Sequence, residues 1–192
     1  MSKRPSSPDP DRPEQPDGRE APRAQEGGIH DSLTGVYSIE YFEHQMRSEV
    51  AFALRHGTPI SLVLMALDYV DELTRAFGAE AHDRALLLVA AEVKALIRAE
   101  DVLARYGANE LALLCRGTRL EAAGFLATRI RQTVESSALD HRGGELPISV
   151  SLGVATLASG IREYAAVVQS AERALDRARA AGNSVVLGGD AP

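Results

Sequence analysis

Arg98 and Asp101 stand three residues apart, where an apolar helical repeat gives way to a strand-forming run. A planar arginine fork can grip a phosphate or a planar acceptor, and a carboxylate beside it can accept hydrogen bonds. Left to itself on a surface, such a pair is a solvated contact worth under ~1 kcal/mol. Arg98 falls at the C-terminal end of its helical repeat, where a cation is favoured in any case. Arg129 lies on the following helical stretch. A second group of charges is acidic: Asp68 closes an apolar run, Asp71 follows three residues on, and Glu110 lies in a turn-forming stretch. The five histidines lack metal-ligand spacing, which argues against a zinc enzyme. Cys115 is the single cysteine, so no internal disulfide exists, and a reducing cytoplasmic setting is expected. It reads as a buried strand residue. Arg173 and Arg177, one helical turn apart, read as a solvated helix face.

The elements that must position these residues follow from the hydropathy pattern. The chain has 192 residues and a net charge of −6, enough for one domain with a real core. The acidic balance speaks against electrostatic binding of nucleic acid. No apolar run reaches the ~18–20 residues of a membrane span. Residues 1–30 carry six of the nine prolines and few apolar residues, so they read as a disordered tail, with the domain over 31–188.

Within the domain, Ser38 caps a helix running to about Arg55, and Gly57 and Pro59 end it. Ile60–Leu67 is a central strand covered on both faces. A short helix spans Val70–Phe77, and a longer one Glu80–Arg98. Val102–Tyr106 and Leu111–Arg116 flank Gly107-Ala108-Asn109-Glu110 as a hairpin. Thr118 and Glu121 read as a capping box for a helix to about Ala138. The alternation from Ile148 to Val154 predicts a strand with one buried face. A last helix carries Tyr164, Val167, Ala171, Leu175 and Ala178 and ends at Gly182. Ser184–Leu187 reads as an edge strand. Helices alternate with strands around a hairpin, so the fold class is α+β, a mixed sheet with helices packed on it.

The order of motifs resembles the GGDEF family, the diguanylate cyclases that condense two GTP into cyclic di-GMP. Asp31-Ser-Leu-Thr-Gly35 is similar to the family's DxLTG, and Leu67-Asp68 to its strand-end metal aspartate. Gly78 and Asp83 fall on GHxxGD, and Arg105-Tyr-Gly-Ala-Asn-Glu-Leu111 on RYGGDEF. Ser149–Ala155 resembles the TxSxGVA strand, and Ala171–Gly182 the last helix. The resemblance spans essentially all of 31–187 and implies a five-stranded central sheet of the nucleotidyl-cyclase palm type.

The chain departs from that pattern where the family's chemistry sits. Asn109 replaces the acidic residue that holds Mg²⁺, and an amide is a poorer ligand for a hard cation. Ala108 replaces the second hairpin glycine, Thr74 the guanine-binding asparagine, and Asp71 a lysine. Ala79 and His82 replace the histidine and second glycine of GHxxGD. Arg179 keeps the charge of a phosphate-binding lysine, and Asn183 replaces an arginine. Asp68, Asp83 and Glu110 survive. The expectation is therefore a domain that is not an enzyme, with no metal or other cofactor and with Asp68 and Glu110 as relic metal positions.

Arg98-Ala-Glu-Asp101 matches the family's RxxD product site, five residues ahead of the hairpin, and Arg129 matches its additional arginine. The resemblance implies cyclic di-GMP as ligand, held by Arg98, Asp101 and Arg129. A receptor that signals to an unidentified protein partner is expected, with ligand-promoted homodimerisation. The alternatives are a weak cyclase using Asp68, Asp71 and Glu110 for metal, and an interaction module that binds no nucleotide.

Overall fold

The computed structural model describes residues 28–157 and 163–188; the expected tail lies outside these residues except for 28–30. The elements run α1 (Ile39–His56), β1 (Ile60–Leu67), α2 (Val70–Phe77), α3 (Ala79–Leu96), β2 (Val102–Arg105), β3 (Glu110–Arg116) and α4 (Leu120–Ser136). They continue as β4 (Ala138–His141), β5 (Gly144–Pro147), β6 (Val150–Thr156), α5 (Tyr164–Ala181) and β7 (Val185–Leu187). Ser38 caps α1, its hydroxyl accepting from the Tyr41 N–H at 3.4 Å. Gly57 ends α1 at φ 66°, a backbone only glycine adopts without strain.

The main sheet has the order β2-β3-β1-β6-β7. β1 lies between β3 and β6, antiparallel to both, and β7 pairs parallel with β6. The expected five-stranded mixed sheet is present. Every residue of β1 is buried because the sheet is covered on both faces. Leu62, Leu64 and Ala66 pack with Phe42, Met46 and Val50 of α1 and Ala171 and Leu175 of α5. Val63, Met65 and Leu67 pack with Leu86, Val89 and Val93 of α3 and Ala127, Ile130 and Val134 of α4. Each large side chain so buried contributes about 1.5–3 kcal/mol.

Three local expectations are corrected, and one unforeseen hairpin is added. α3 ends at Leu96, not Arg98, because Ile97 turns extended (φ −95°, ψ 164°). The Thr118–Glu121 capping box does not form: after the turn at Gly117, the Thr118 hydroxyl donates back to the Arg116 carbonyl at 2.9 Å. Arg119 takes the cap position with no side-chain bond. The chain beyond α4 forms the β4–β5 hairpin, whose turn residues Arg142 and Gly143 both have positive φ. β6 is buried on both faces. Its small residues serve contacts rather than solvent. Ser151 bonds to Asp68, and a Cβ on Gly153 would run into the Ala171 carbonyl and the Leu175 backbone.

Candidate functional site

Asp101 holds the turn between α3 and β2. Its Oδ2 accepts from the Arg98 N–H at 3.1 Å, and its Oδ1 from the Arg116 N–H at 3.3 Å. Its own N–H donates to the Arg98 carbonyl at 3.2 Å. Only 9% of Asp101 is exposed. Two strands and a helix end are thus tied at one carboxylate, which does not stand on an open junction as an isolated surface pair would.

Arg98 is exposed on the same turn. Arg98 and Asp101 line a cavity of about 420 Å³, with Lys94, Ile97, His30 and Tyr37 among its walls. Tyr37 stacks on His30 at 4.9 Å and on Tyr41 at 4.3 Å between ring centroids. It reaches the cavity because its N–H donates to the Leu103 carbonyl and its own carbonyl accepts from the Arg105 N–H. Arg129 is exposed on α4, and its guanidinium donates to the Leu96 carbonyl at 2.7 Å. It therefore caps the end of α3 and is not among the residues lining the cavity. Lys94 escapes a motif search, although it lies four residues before Arg98 at helical spacing. His30 and Tyr37 carry no such signal, because a long-range backbone pairing brings them in.

The β2–β3 hairpin is tied down separately. Arg105 donates through Nε to the Gly107 carbonyl at 2.7 Å, through one terminal nitrogen to the Ala108 carbonyl, and through the other to Asp31 at 3.4 Å. Burial pushes the Asp31 carboxyl up, but hydrogen bonds from Thr34 and the Arg105 charge outweigh it, and the group sits below the usual carboxylate range. At the tip, the Leu67 N–H donates to the Asn109 carbonyl at 3.0 Å. The Asn109 side-chain oxygen meets His82 Nε2 at 2.7 Å, and His82 Nδ1 meets Asp83 at 2.9 Å.

A second cavity, about 430 Å³, opens beside the hairpin and is lined by Asp68, Asp71, Glu72, Asn109 and Arg179. Asp68 accepts from the Ser151 hydroxyl at 2.7 Å, the Ser149 hydroxyl at 2.8 Å and the Asn183 N–H at 2.9 Å. Glu110 pairs with Arg179 at 2.8 Å. Asp68 and Glu110 thus each carry protein partners of their own. Among the described residues, no three His, Cys, Asp or Glu side chains stand together as a metal site. With the carboxylates occupied by serines and an arginine, and an amide at the hairpin's third position, the donor set does not fit a divalent cation in this arrangement. Arg173 and Arg177 are exposed on α5, as expected. Cys115 is buried, and burial with the Asp101 charge pushes its thiol up to about 12.

Among the described residues, no helix is long and apolar enough to cross a membrane. The family described as "Diguanylate cyclase, GGDEF domain" matches residues 28–184. The chain is 26% identical over 162 residues to the probable diguanylate cyclase DgcC of Escherichia coli, covering 84% of this chain and 43% of DgcC. It is 31% identical over 154 residues to the diguanylate cyclase DgcP of Pseudomonas aeruginosa, covering 80% of this chain and 23% of DgcP. The chain therefore spans less than half the length of either relative. Among solved structures it resembles the diguanylate cyclase SiaD of P. aeruginosa, in complex with its activator SiaC. That match has a TM-score of 0.79 and 29% identity, and it covers 84% of this chain and 62% of SiaD. These matches overturn the expectation of a domain outside the enzymes, because the relatives are named as cyclases and the family is one of cyclases. Helix order, central sheet, hairpin and matched relatives converge: the chain belongs to the GGDEF family of diguanylate cyclase domains.

Proposed function

We propose that this domain works in cyclic di-GMP signalling and binds the dinucleotide at the Arg98 cavity. The observation that carries the reading is that Arg98 and Asp101 line one cavity with Lys94 and the stacked Tyr37. The Arg98 guanidinium has no ion pair among the described residues, so it is available to guanine O6 and N7 or to a phosphate. Asp101 fixes the turn that presents Arg98, and its remaining lone pairs can accept from a guanine N–H. Arg129, anchored on the Leu96 carbonyl, keeps further N–H groups for a phosphate oxygen. The stacked rings of His30 and Tyr37 add aromatic surface to the cavity wall.

Titration calorimetry with cyclic di-GMP tests this, with GTP and the linear dinucleotide as controls. Arg98→Ala should weaken binding about ten- to a hundred-fold, the ~1–3 kcal/mol of a good bidentate contact. Equal binding by wild type and Arg98→Ala, or no saturable binding at micromolar ligand, sinks the reading. Sedimentation of the same samples reads out ligand-promoted dimerisation.

A second reading, diguanylate cyclase activity, rests on the names of the relatives and on the cavity where Asp68, Asp71, Asn109 and Arg179 meet. It requires Asp68 to exchange its bonds to Ser149 and Ser151 for contacts to nucleotide. Incubation with GTP and Mg²⁺ or Mn²⁺, followed by chromatography, supports it if cyclic di-GMP accumulates in wild type and not in Asp68→Ala.

A further inference from the structure

Arg116, the last residue of β3, reaches in two directions at once. Its backbone N–H donates to Asp101 Oδ1 at 3.3 Å. One terminal nitrogen of its guanidinium donates to the Glu100 carbonyl at 2.9 Å. The other meets Gln45 Oε1 and Glu49 Oε1 of α1, each at 2.9 Å. Glu100 lies inside the turn that carries Arg98 and Asp101, so one residue grips that turn through both its backbone and its side chain. Tyr41, Gln45 and Glu49 follow one another at single helical turns, so they share a face of α1. Tyr41 stacks at 4.3 Å on Tyr37, a wall of the Arg98 cavity. The same face of α1 therefore meets the cavity twice, through a stacked ring and through the Arg116 fork.

We propose that Arg116 is a positioning residue for the Arg98 cavity: it ties the turn that presents Arg98 to α1, so that the seating of α1 sets the affinity of the cavity for its anionic ligand. The ligand, cyclic di-GMP, rests on the reading of the cavity given above, whereas the tie can be tested with no ligand present.

The chemistry of the side chain suits the task. A guanidinium carries two terminal nitrogens in a rigid plane, and here each serves a different element. A lysine has a single nitrogen on a flexible stem and cannot reproduce that span. The Arg116 and Glu49 side chains are 31% and 24% exposed, and ion pairs so open to water add little to stability. The consequence of the contact is geometric. Arg98 is exposed and reaches its ligand from a turn, so the position of the turn decides where the guanidinium of Arg98 can go.

The test uses the full chain as wild type, Arg116→Lys, Arg116→Ala and Gln45→Ala/Glu49→Ala. Val154→Ala serves as a destabilised control, because β6 lies three strands from β2 in the sheet. Amide exchange followed by NMR reads the tie directly. The N–H groups of Arg98 and Asp101 should exchange about tenfold faster in Arg116→Ala and in Gln45→Ala/Glu49→Ala, relative to Leu64 of β1. Calorimetry with cyclic di-GMP, at a temperature where every variant is folded, reads the effect on the cavity. Arg116→Lys and Gln45→Ala/Glu49→Ala should each bind about three- to tenfold more weakly, and Val154→Ala as wild type. Charge alone gives the contrary result: the lysine variant keeps its cation, and loss of the Glu49 carboxylate would tighten the binding of an anion. The proposal is overturned if Gln45→Ala/Glu49→Ala binds as tightly as wild type or more tightly, or if Val154→Ala weakens binding equally. It is also overturned if the Arg98 and Asp101 amides exchange at the wild-type rate. If wild type binds no cyclic di-GMP, the reading of the cavity fails, and the exchange rates alone then support or overturn the tie.

Discussion

Asp101 and Arg98 belong to one four-residue motif but do different physical work. The Asp101 carboxylate accepts from two backbone N–H groups and is buried, whereas the Arg98 side chain faces the cavity. Asp101→Ala strips the acceptor from both N–H groups in a place water reaches poorly. Hydrogen bonds to a charged group contribute ~1.5–3 kcal/mol, so the variant should lose about 2–3 kcal/mol of stability. Arg98→Ala should unfold at the wild-type denaturant concentration. Urea midpoints of the two variants check this; equal midpoints would remove the structural role of Asp101. Loss of ligand binding in Asp101→Ala then needs comparison with Asp101→Asn, which keeps an acceptor for one of the two N–H groups.

At the scale of elements, the contact that positions the α5 end of the cleft is the approach of α5 to β6. α5 crosses so close to the strand that a side chain at 153 would meet backbone, not a movable side chain. Backbone cannot rotate away, so Gly153→Ala has to push helix from sheet. The expected cost is on the order of 3 kcal/mol, the upper end for overpacking. Because Asp68 bonds both β6 through Ser151 and the residue after α5's glycine cap, Asn183, the same variant should disturb the Asp68 cleft. Thermal unfolding measures the first effect. A wild-type melting temperature for Gly153→Ala would contradict the packing geometry.

For the whole molecule, the buried Cys115 thiol and the half-buried Tyr106 phenol, both with raised pKa values, shape its behaviour in alkali. Burial and the Asp101 charge hold the Cys115 thiol at about 12 against 9.0 when free. Burial and the Glu172 charge hold the Tyr106 phenol at about 12 against 10.0. Both are neutral in the fold and ionise more readily once unfolded. Their contribution to stability is complete below pH 9 and falls as pH rises from about 9 towards 12. Urea midpoints across pH 7–11 should decline from pH 9, and Cys115→Ala should flatten the first part of that decline. A thiol reagent at pH 8 should label Cys115 only on unfolding, since the thiolate is the nucleophile. Rapid labelling of the folded protein would contradict the burial.

Much of this architecture is legible in the residues themselves. The continuous apolar run at Ile60–Leu67 declares a strand covered on both faces, and Ser38 and Gly57 declare the ends of α1, because these signals act through neighbours in the chain. The order of motifs likewise discloses the family before any coordinates. Local signals fail where a distant partner decides. Thr118 and Glu121 carry a helix-start signature, but the turn after β3 directs the threonine back to Arg116. The alternation in β6 looks half-exposed, yet its serine and glycine are buried by Asp68 and α5. Asp101 looks like half of a surface pair until Arg116 arrives from the neighbouring strand. His82 and Asn109 look like two unrelated losses until the fold sets them 2.7 Å apart. Residue type and spacing determined most of the elements and the family, though not the β4–β5 hairpin, because periodicity, capping and turn chemistry are short-range. Which carboxylates are already bonded, and which side chains meet across the sheet, only the tertiary structure decided, because those contacts join segments that the chain order keeps apart.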